Sequence, residues 1–207
     1  MPITSERFNA GETYATYRAR ILAGGGLTQE LLERSEGGLA DTGIDTSVFA
    51  ELPSTVRVLV LHFDACSDSA DTLPILNRIE QETGKIEVRI IERDDNPDLR
   101  DPHLLRGIFA AAPVVIFLDG EGSEIGFFTE RPDSITKLRA ERKQAIYDAN
   151  PAYGNIDAPP SDVPDEIRAA ILADIMTMRE EVRPFLIAET VQELSKIVAP
   201  VALPTHR

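Results

Sequence analysis

Apolar positions recur in two rhythms along this chain. Near its start, Tyr14, Tyr17, Ile21 and Leu22 fall close to i, i+3, i+7 and i+8, one helical stripe that predicts a helix over residues 12–22. Gly24-Gly25-Gly26 stops it, because a helix C-cap commonly needs positive φ. The three glycines follow a helix rather than a strand and lack the spacing of a nucleotide fingerprint, so they predict a cap and not a phosphate loop. A short helix is expected over 29–35 and a loop over 37–45. At residue 56 the rhythm changes. Residues 56–63 (VRVLVLHF) are β-branched and almost continuously apolar, the pattern of a strand buried on both faces. Residues 65–83 return to helical spacing, with Leu73, Leu76, Ile79 and Glu80 marking the register.

A second buried strand is expected over 86–91 (IEVRII), a short helix over 98–107, and a third strand over 113–118 (PVVIFL). Asp119-Gly120-Glu121-Gly122 is a hairpin turn leading to a returning strand over 124–128, and a helix over 132–149 ends before Pro151. The order is β-α-β-α-β-β-α. A crossover helix makes the first two strands parallel, and the hairpin makes the last two antiparallel. The result is an α/β mixed sheet flanked by helices. Pro159-Pro160-Ser161-Asp162 breaks the chain. Two amphipathic helices follow, over 164–183 (Ile167, Ile171, Ile175, Met178, Val182) and over 185–198 (Leu186, Val191, Leu194, Val198). The expected organisation is an N-terminal helical extension (1–50), the sheet domain (51–150) and a C-terminal helical appendage (151–207). The appendage should bury its stripes against the sheet domain or in a homodimer.

Composition narrows the partners. Of 207 residues 43% are hydrophobic, enough for a core, while 21 Lys and Arg against 35 Asp and Glu leave a net charge of −14. So acidic a chain repels phosphate backbones and anionic bilayers, so neither nucleic acid nor membrane is an expected partner. The apolar run 109–118 is too short to span a bilayer and contains Pro113. Residues 1–7 show no apolar signal region. With the single cysteine, Cys66, this predicts a reducing, cytoplasmic setting. His62, His103 and His206 lie far apart in sequence, and with one Cys they build no structural zinc site. No metal or cofactor is expected.

Cys66 is the informative residue, because it follows a buried strand and opens a helix. Helix N-termini carry unpaired N–H groups and partial positive charge, which favour a thiolate. The structural alternative is an inert buried thiol. Asp64 and Asp68 flank Cys66 and oppose a thiolate electrostatically. As capping groups, Asp64 or Ser67 would accept first-turn N–H bonds instead. Pro113 opens an apolar strand after Ala110-Ala111-Ala112, and a cis Ala112–Pro113 bond would spare it a ladder N–H. Arg93-Asp94-Asp95-Asn96 has turn chemistry and is expected as a charged loop, although it could gate the site. His62, on an alternating strand four residues before Cys66, is a poor candidate base for it.

These residues carry a resemblance. Cys66 opening the first core helix and Pro113 opening the third strand, within this element order, resemble the thioredoxin superfamily. The chain shows Phe8-Asn9-Ala10-Gly11-Glu12-Thr13 and Tyr17, Asp64-Ala65-Cys66-Ser67-Asp68-Ser69, Leu73-Pro74-Ile75-Leu76, Glu87-Val88-Arg89, and Arg93-Asp94-Asp95-Asn96-Pro97-Asp98-Leu99. In their joint order these resemble a bacterial thioredoxin-like branch with a D-W-C-G-D type motif, over roughly residues 8–148. The resemblance implies a thioredoxin-like fold, Cys66 as nucleophile, and a substrate groove at Ala112 and Pro113. The departures are equally specific. The resolving cysteine is replaced by Ser69, giving C-x-x-S; the preceding Trp is Ala65, the motif proline is Asp68, and the buried acid is Val60. Dithiol turnover within one chain is excluded, and an external thiol must release any adduct. The expected function is monothiol thiol-disulfide exchange, with Ser69 donating to the Cys66 thiolate and a protein or low-molecular-weight thiol or disulfide as partner. The alternative is a redox-inactive thioredoxin-fold binding or structural module.

Overall fold

In the computed structural model, residues 2–158 and 162–202 are described. The Pro159-Pro160-Ser161 break and His206 lie outside them. The apolar runs form a four-stranded sheet from β1 (Val56–His62), β2 (Ile86–Glu92), β3 (Val114–Leu118) and β4 (Glu124–Thr129), in the order β2-β1-β3-β4. β1 pairs parallel with β2, and β3 pairs antiparallel with both β1 and β4. The parallel register sets Val56 opposite Ile86 and, at the far end, His62 opposite Glu92.

The nearly unbroken apolar character of β1 has a direct cause. Its alternate residues face two separate cores. Val56, Val58 and Val60, with Val115 and Phe117 of β3, join one cluster. Leu59 and Leu61, with Val114, Ile116 and Leu118, join another beneath Ile3, Phe8 and Ala111. Helices α2 (Tyr14–Gly24), α3 (Gly26–Ala40), α4 (Ser47–Ala50), α5 (Ser67–Thr83) and most of α9 (Arg183–Ala202) supply the other side of the first cluster through Tyr17, Leu32, Phe49, Leu76 and Leu194. The helices of residues 1–50 therefore share a core with the sheet. Among the described residues, 2–131 and 187–202 form one compact unit, and 132–158 and 162–186 a second.

Several elements differ from their expected extents. α3 runs through Gly37 and Gly38 to Ala40, because Leu32, Ser35 and Leu39 all fall on its buried face. α4 and the short α1 (Ser5–Asn9) were not expected, and each packs one buried aromatic, Phe49 and Phe8. Only the start of 98–107 is helical, as α6 (Pro97–Arg100) followed by a 3₁₀ turn (Asp101–His103). Beyond it the chain makes a tight turn, with Leu105 bridging Phe109.

The segment after α1 crosses the open edge of β2, where Glu12 and Ile90 exchange both backbone hydrogen bonds at 2.8 and 2.9 Å. Gly11 permits this approach, since a Cβ there would lie 2.9 Å from the Arg89 Cβ and 3.2 Å from the Ile90 carbonyl oxygen. The second unit contains α7 (Asp133–Ala149) and α8 (Asp165–Glu181). Ile135, Met178 and Leu186 form its buried cluster, with Leu138 and Val182 packed against it. Of the expected α8 stripe, Ile167 and Met178 are buried, and Ile171 and Ile175 partly so. Arg142 adds ion pairs to Asp174 and Glu181. Among the described residues, no helix is long and apolar enough to cross a membrane.

Candidate functional site around Cys66

The chain leaves β1 at His62, turns through Phe63–Ala65, and enters α5 with Cys66 as its N-cap. Cys66 has extended backbone angles (φ −87°, ψ 113°), and its carbonyl accepts the first intrahelical bond, from the Ala70 N–H at 3.1 Å. Its Sγ accepts from the Ser69 N–H at 3.4 Å, so sulfur occupies the place that a Ser or Asp oxygen usually takes at a helix start. Sγ in turn donates to the Ala112 carbonyl oxygen at 3.2 Å. These two contacts bring three of the sequence-derived residues together. The fourth, Pro113, follows Ala112 through a cis peptide bond.

Ser69 contributes its backbone. Its hydroxyl is buried and has no hydrogen-bond partner among the described residues. Cys66 is 9% exposed, a sulfur at the floor of the surface.

The two acids flanking Cys66 are both paired. Arg131 donates to one Asp68 oxygen through Nε (3.0 Å) and Nη2 (2.6 Å), forming a largely buried ion pair. Burial alone would lower the Arg131 guanidinium, but Asp68 and Glu130 outweigh it and hold it above its ordinary value, with Cys66 adding in the same direction. Arg131 lies two residues beyond the end of β4. The preceding Glu130 N–H bonds the Pro113 carbonyl at 2.8 Å, so the proline and the arginine are fixed by the same stretch of chain. On the other side, Arg20 of α2 donates to Asp64 at 2.6 Å and to Glu12 at 3.1 Å. The local repulsion expected from Asp64 and Asp68 is thus offset by cations that lie 44 and 63 positions away in sequence. Sequence reasoning missed Arg20 and Arg131, and no local spacing signals either.

Arg93 has a structural task. Its N–H bonds the His62 carbonyl, its guanidinium stacks over Phe63 at 4.7 Å, and its Nη1 donates to the Ala110 carbonyl at 3.1 Å. The charged turn after β2 therefore anchors both the strand end before Cys66 and the loop before Pro113. Asn96 continues it, donating to the Glu92 carbonyl at 2.7 Å and accepting from Arg7.

His62 does not bond Cys66. Its ring stands edge-on to Tyr17, 5.0 Å between centroids, and its Nε2 points toward Asp64 at 3.8 Å. Burial pulls the imidazole down to about 4, against a smaller upward pull from Asp64, so it is neutral at pH 7. His62, Asp64 and Glu92 bring one ligand-type atom each within 4.8 Å of one another. They are the described residues that could hold a metal. No local pattern in the sequence signals this meeting, because only the parallel register sets the ends of β1 and β2 opposite each other.

A mixed sheet with a cysteine capping the first core helix, facing the carbonyl before a proline that opens the third strand, defines a thioredoxin-like α/β protein. The thioredoxin family profile matches residues 29–144, more than half of the chain, and the protein belongs to that family. Two solved structures share the fold. One is a protein of unknown function from Pseudomonas aeruginosa, 21% identical, with a TM-score of 0.59, covering 97% of this chain and 99% of its own. The other is an HIV epitope scaffold, also 21% identical with a TM-score of 0.59, covering 95% of this chain and 97% of its own. None of the curated proteins matches the sequence.

Proposed function

We propose that this thioredoxin-fold protein carries out monothiol thiol-disulfide exchange through Cys66, in a cytoplasmic, reducing setting. The observation that carries the reading is the placement of Sγ. It sits at the N-cap of a 17-residue helix, accepts the Ser69 N–H, and lies 3.2 Å from the Ala112 carbonyl beside Pro113. A thiolate formed there keeps the Ser69 donor and the positive end of the helix.

In the first step the Cys66 thiolate attacks one sulfur of a disulfide. A Cys66–substrate mixed disulfide forms, the substrate S–S bond breaks, and the other sulfur leaves as a thiolate. In the second step a low-molecular-weight thiol attacks the mixed disulfide and is itself oxidised into a new disulfide, returning Cys66 as thiolate. Ser69 positions Sγ through its backbone. Ala112 presents a carbonyl that a neighbouring chain could use, and Pro113 shapes the edge of the groove. Ile108 and Phe109, both well exposed in the turn leading to Ala110, supply apolar surface for a protein disulfide partner.

The test is glutathione-dependent reduction of a mixed disulfide between glutathione and a peptide. Turnover should rise with protein concentration and vanish in Cys66→Ser, while insulin reduction by the protein stays poor. Equal rates with wild type and Cys66→Ser would refute the reading. A second reading, a redox-inactive binding module, is favoured by one observation: the low exposure of Cys66, whose S–H is already donated within the fold. It predicts that Cys66 reacts with disulfides only after unfolding.

A further inference from the structure

We propose that His62, Asp64 and Glu92 form a binding site for a divalent transition metal ion of the zinc class, independent of the chemistry of Cys66. The three residues come from the ends of adjacent parallel strands and the turn that follows. Register places His62 directly opposite Glu92, and Asp64 lies two residues beyond His62. One nitrogen and two carboxylate oxygens from these side chains lie within 4.8 Å of one another.

The imidazole is the decisive member. Its side chain is 2% exposed, and Nδ1 is buried without a hydrogen-bond partner among the described residues. Its Nε2 faces Asp64 Oδ1 at 3.8 Å, too far for a hydrogen bond. A buried nitrogen without a hydrogen-bond partner costs free energy, and the other ring nitrogen faces a carboxylate across a gap that a bound ion would bridge. Around a tetrahedral zinc with bonds of about 2.0–2.1 Å, neighbouring ligand atoms stand about 3.3 Å apart. Rotation of the Asp64 and Glu92 side chains need close at most about 1.5 Å to reach that spacing.

Two of the three residues, His62 and Glu92, open onto a cavity, and Asp64 is not part of its lining. Glu12, Arg20, His62 and Glu92 line this cavity of about 370 Å³. Arg20 spans Glu12 and Asp64 Oδ2, which neutralises part of the acidity and leaves Asp64 Oδ1 facing the imidazole. Such a second contact is how ligand carboxylates are usually held in place. Among the described residues, no Lys or Arg forms an ion pair with Glu92. A donor set of one nitrogen and two oxygens with no sulfur suits zinc, cobalt or manganese, and three protein ligands leave a coordination position for water or another small ligand.

The experiment titrates chelator-stripped protein with zinc chloride by calorimetry at pH 7, and with cobalt(II) by visible absorption. The expected result is one ion per chain in wild type and equally in Cys66→Ser. Loss of an outer contact commonly weakens metal affinity by about 10–100-fold, so Glu92→Gln and Asp64→Asn should each weaken it by at least about tenfold. His62→Gln should do the same. If that variant fails to fold by circular dichroism, the two carboxylate variants decide the matter. Absence of stoichiometric binding overturns the proposal, as does unchanged affinity in the carboxylate variants. A cobalt–thiolate band lost in Cys66→Ser would overturn it too, by making the cysteine the ligand.

Discussion

Acidifying the metal-free protein should destabilise it through one identifiable residue, His62. Its imidazole is buried at the end of β1 beside Tyr17, and burial lowers it from 6.5 to about 4 in the folded chain. In the unfolded chain it titrates near its ordinary value of about 6.5. Above pH 6.5 both states hold a neutral ring, and its contribution to stability is constant. Below 6.5 the unfolded state binds a proton that the folded state refuses, so stability falls with pH until the folded ring titrates near 4. Each pK unit is worth about 1.36 kcal/mol, so the loss across this window is roughly 3 kcal/mol. That is a large share of a total stability of about 5–15 kcal/mol. The assay is urea unfolding with chelator present, at pH 7 and at pH 4, on wild type and His62→Gln. Carboxylates elsewhere titrate in both proteins and cancel in the difference. Wild type should lose roughly 3 kcal/mol more than the variant. Equal losses would refute the claim that a neutral, buried imidazole resists protonation here.

Arg131→Met should destabilise the fold by about 3–5 kcal/mol in chemical unfolding, because it removes the arginine from the buried Asp68 carboxylate. In whatever fraction stays folded, the reaction of Cys66 with iodoacetamide should slow, since the neighbourhood becomes more negative. Leu76→Ala, fully buried on α5, should cost about 2–5 kcal/mol by the same measurement. Gly11→Ala should cost about 1–3 kcal/mol through its collision with the Arg89 Cβ and the Ile90 carbonyl, and amide exchange at Glu12 and Ile90 should quicken. An unchanged melting temperature would show that the segment can shift off β2 freely.

What the sequence discloses depends on the range over which each feature is encoded. β1 and β3 are legible because two-sided burial writes itself as an unbroken apolar run, and the hairpin because its turn residues are contiguous. The C-terminal end of α3 is not, since Gly37-Gly38 imitates a loop while the face that holds Leu39 decides the outcome. A four-residue helix such as α4 is too short to show a period. At the site, Cys66 can be placed at a helix start from the strand before it and the amphipathic spacing after it. Its electrostatics cannot be read that way. Asp64 and Asp68 look like unanswered negative charge in any local window, and only folding brings Arg20 and Arg131 to them. The meeting of His62 with Glu92 needed a register, not just a topology.

Intact-mass analysis of native protein after incubation with oxidised glutathione tests the central claim most directly. The account predicts one added glutathione on wild type, its removal by excess reduced glutathione, and none on Cys66→Ser. A wild-type chain that takes up no glutathione while folded, yet takes up one once unfolded in urea, would contradict it, because the fold would then sequester the sulfur rather than present it.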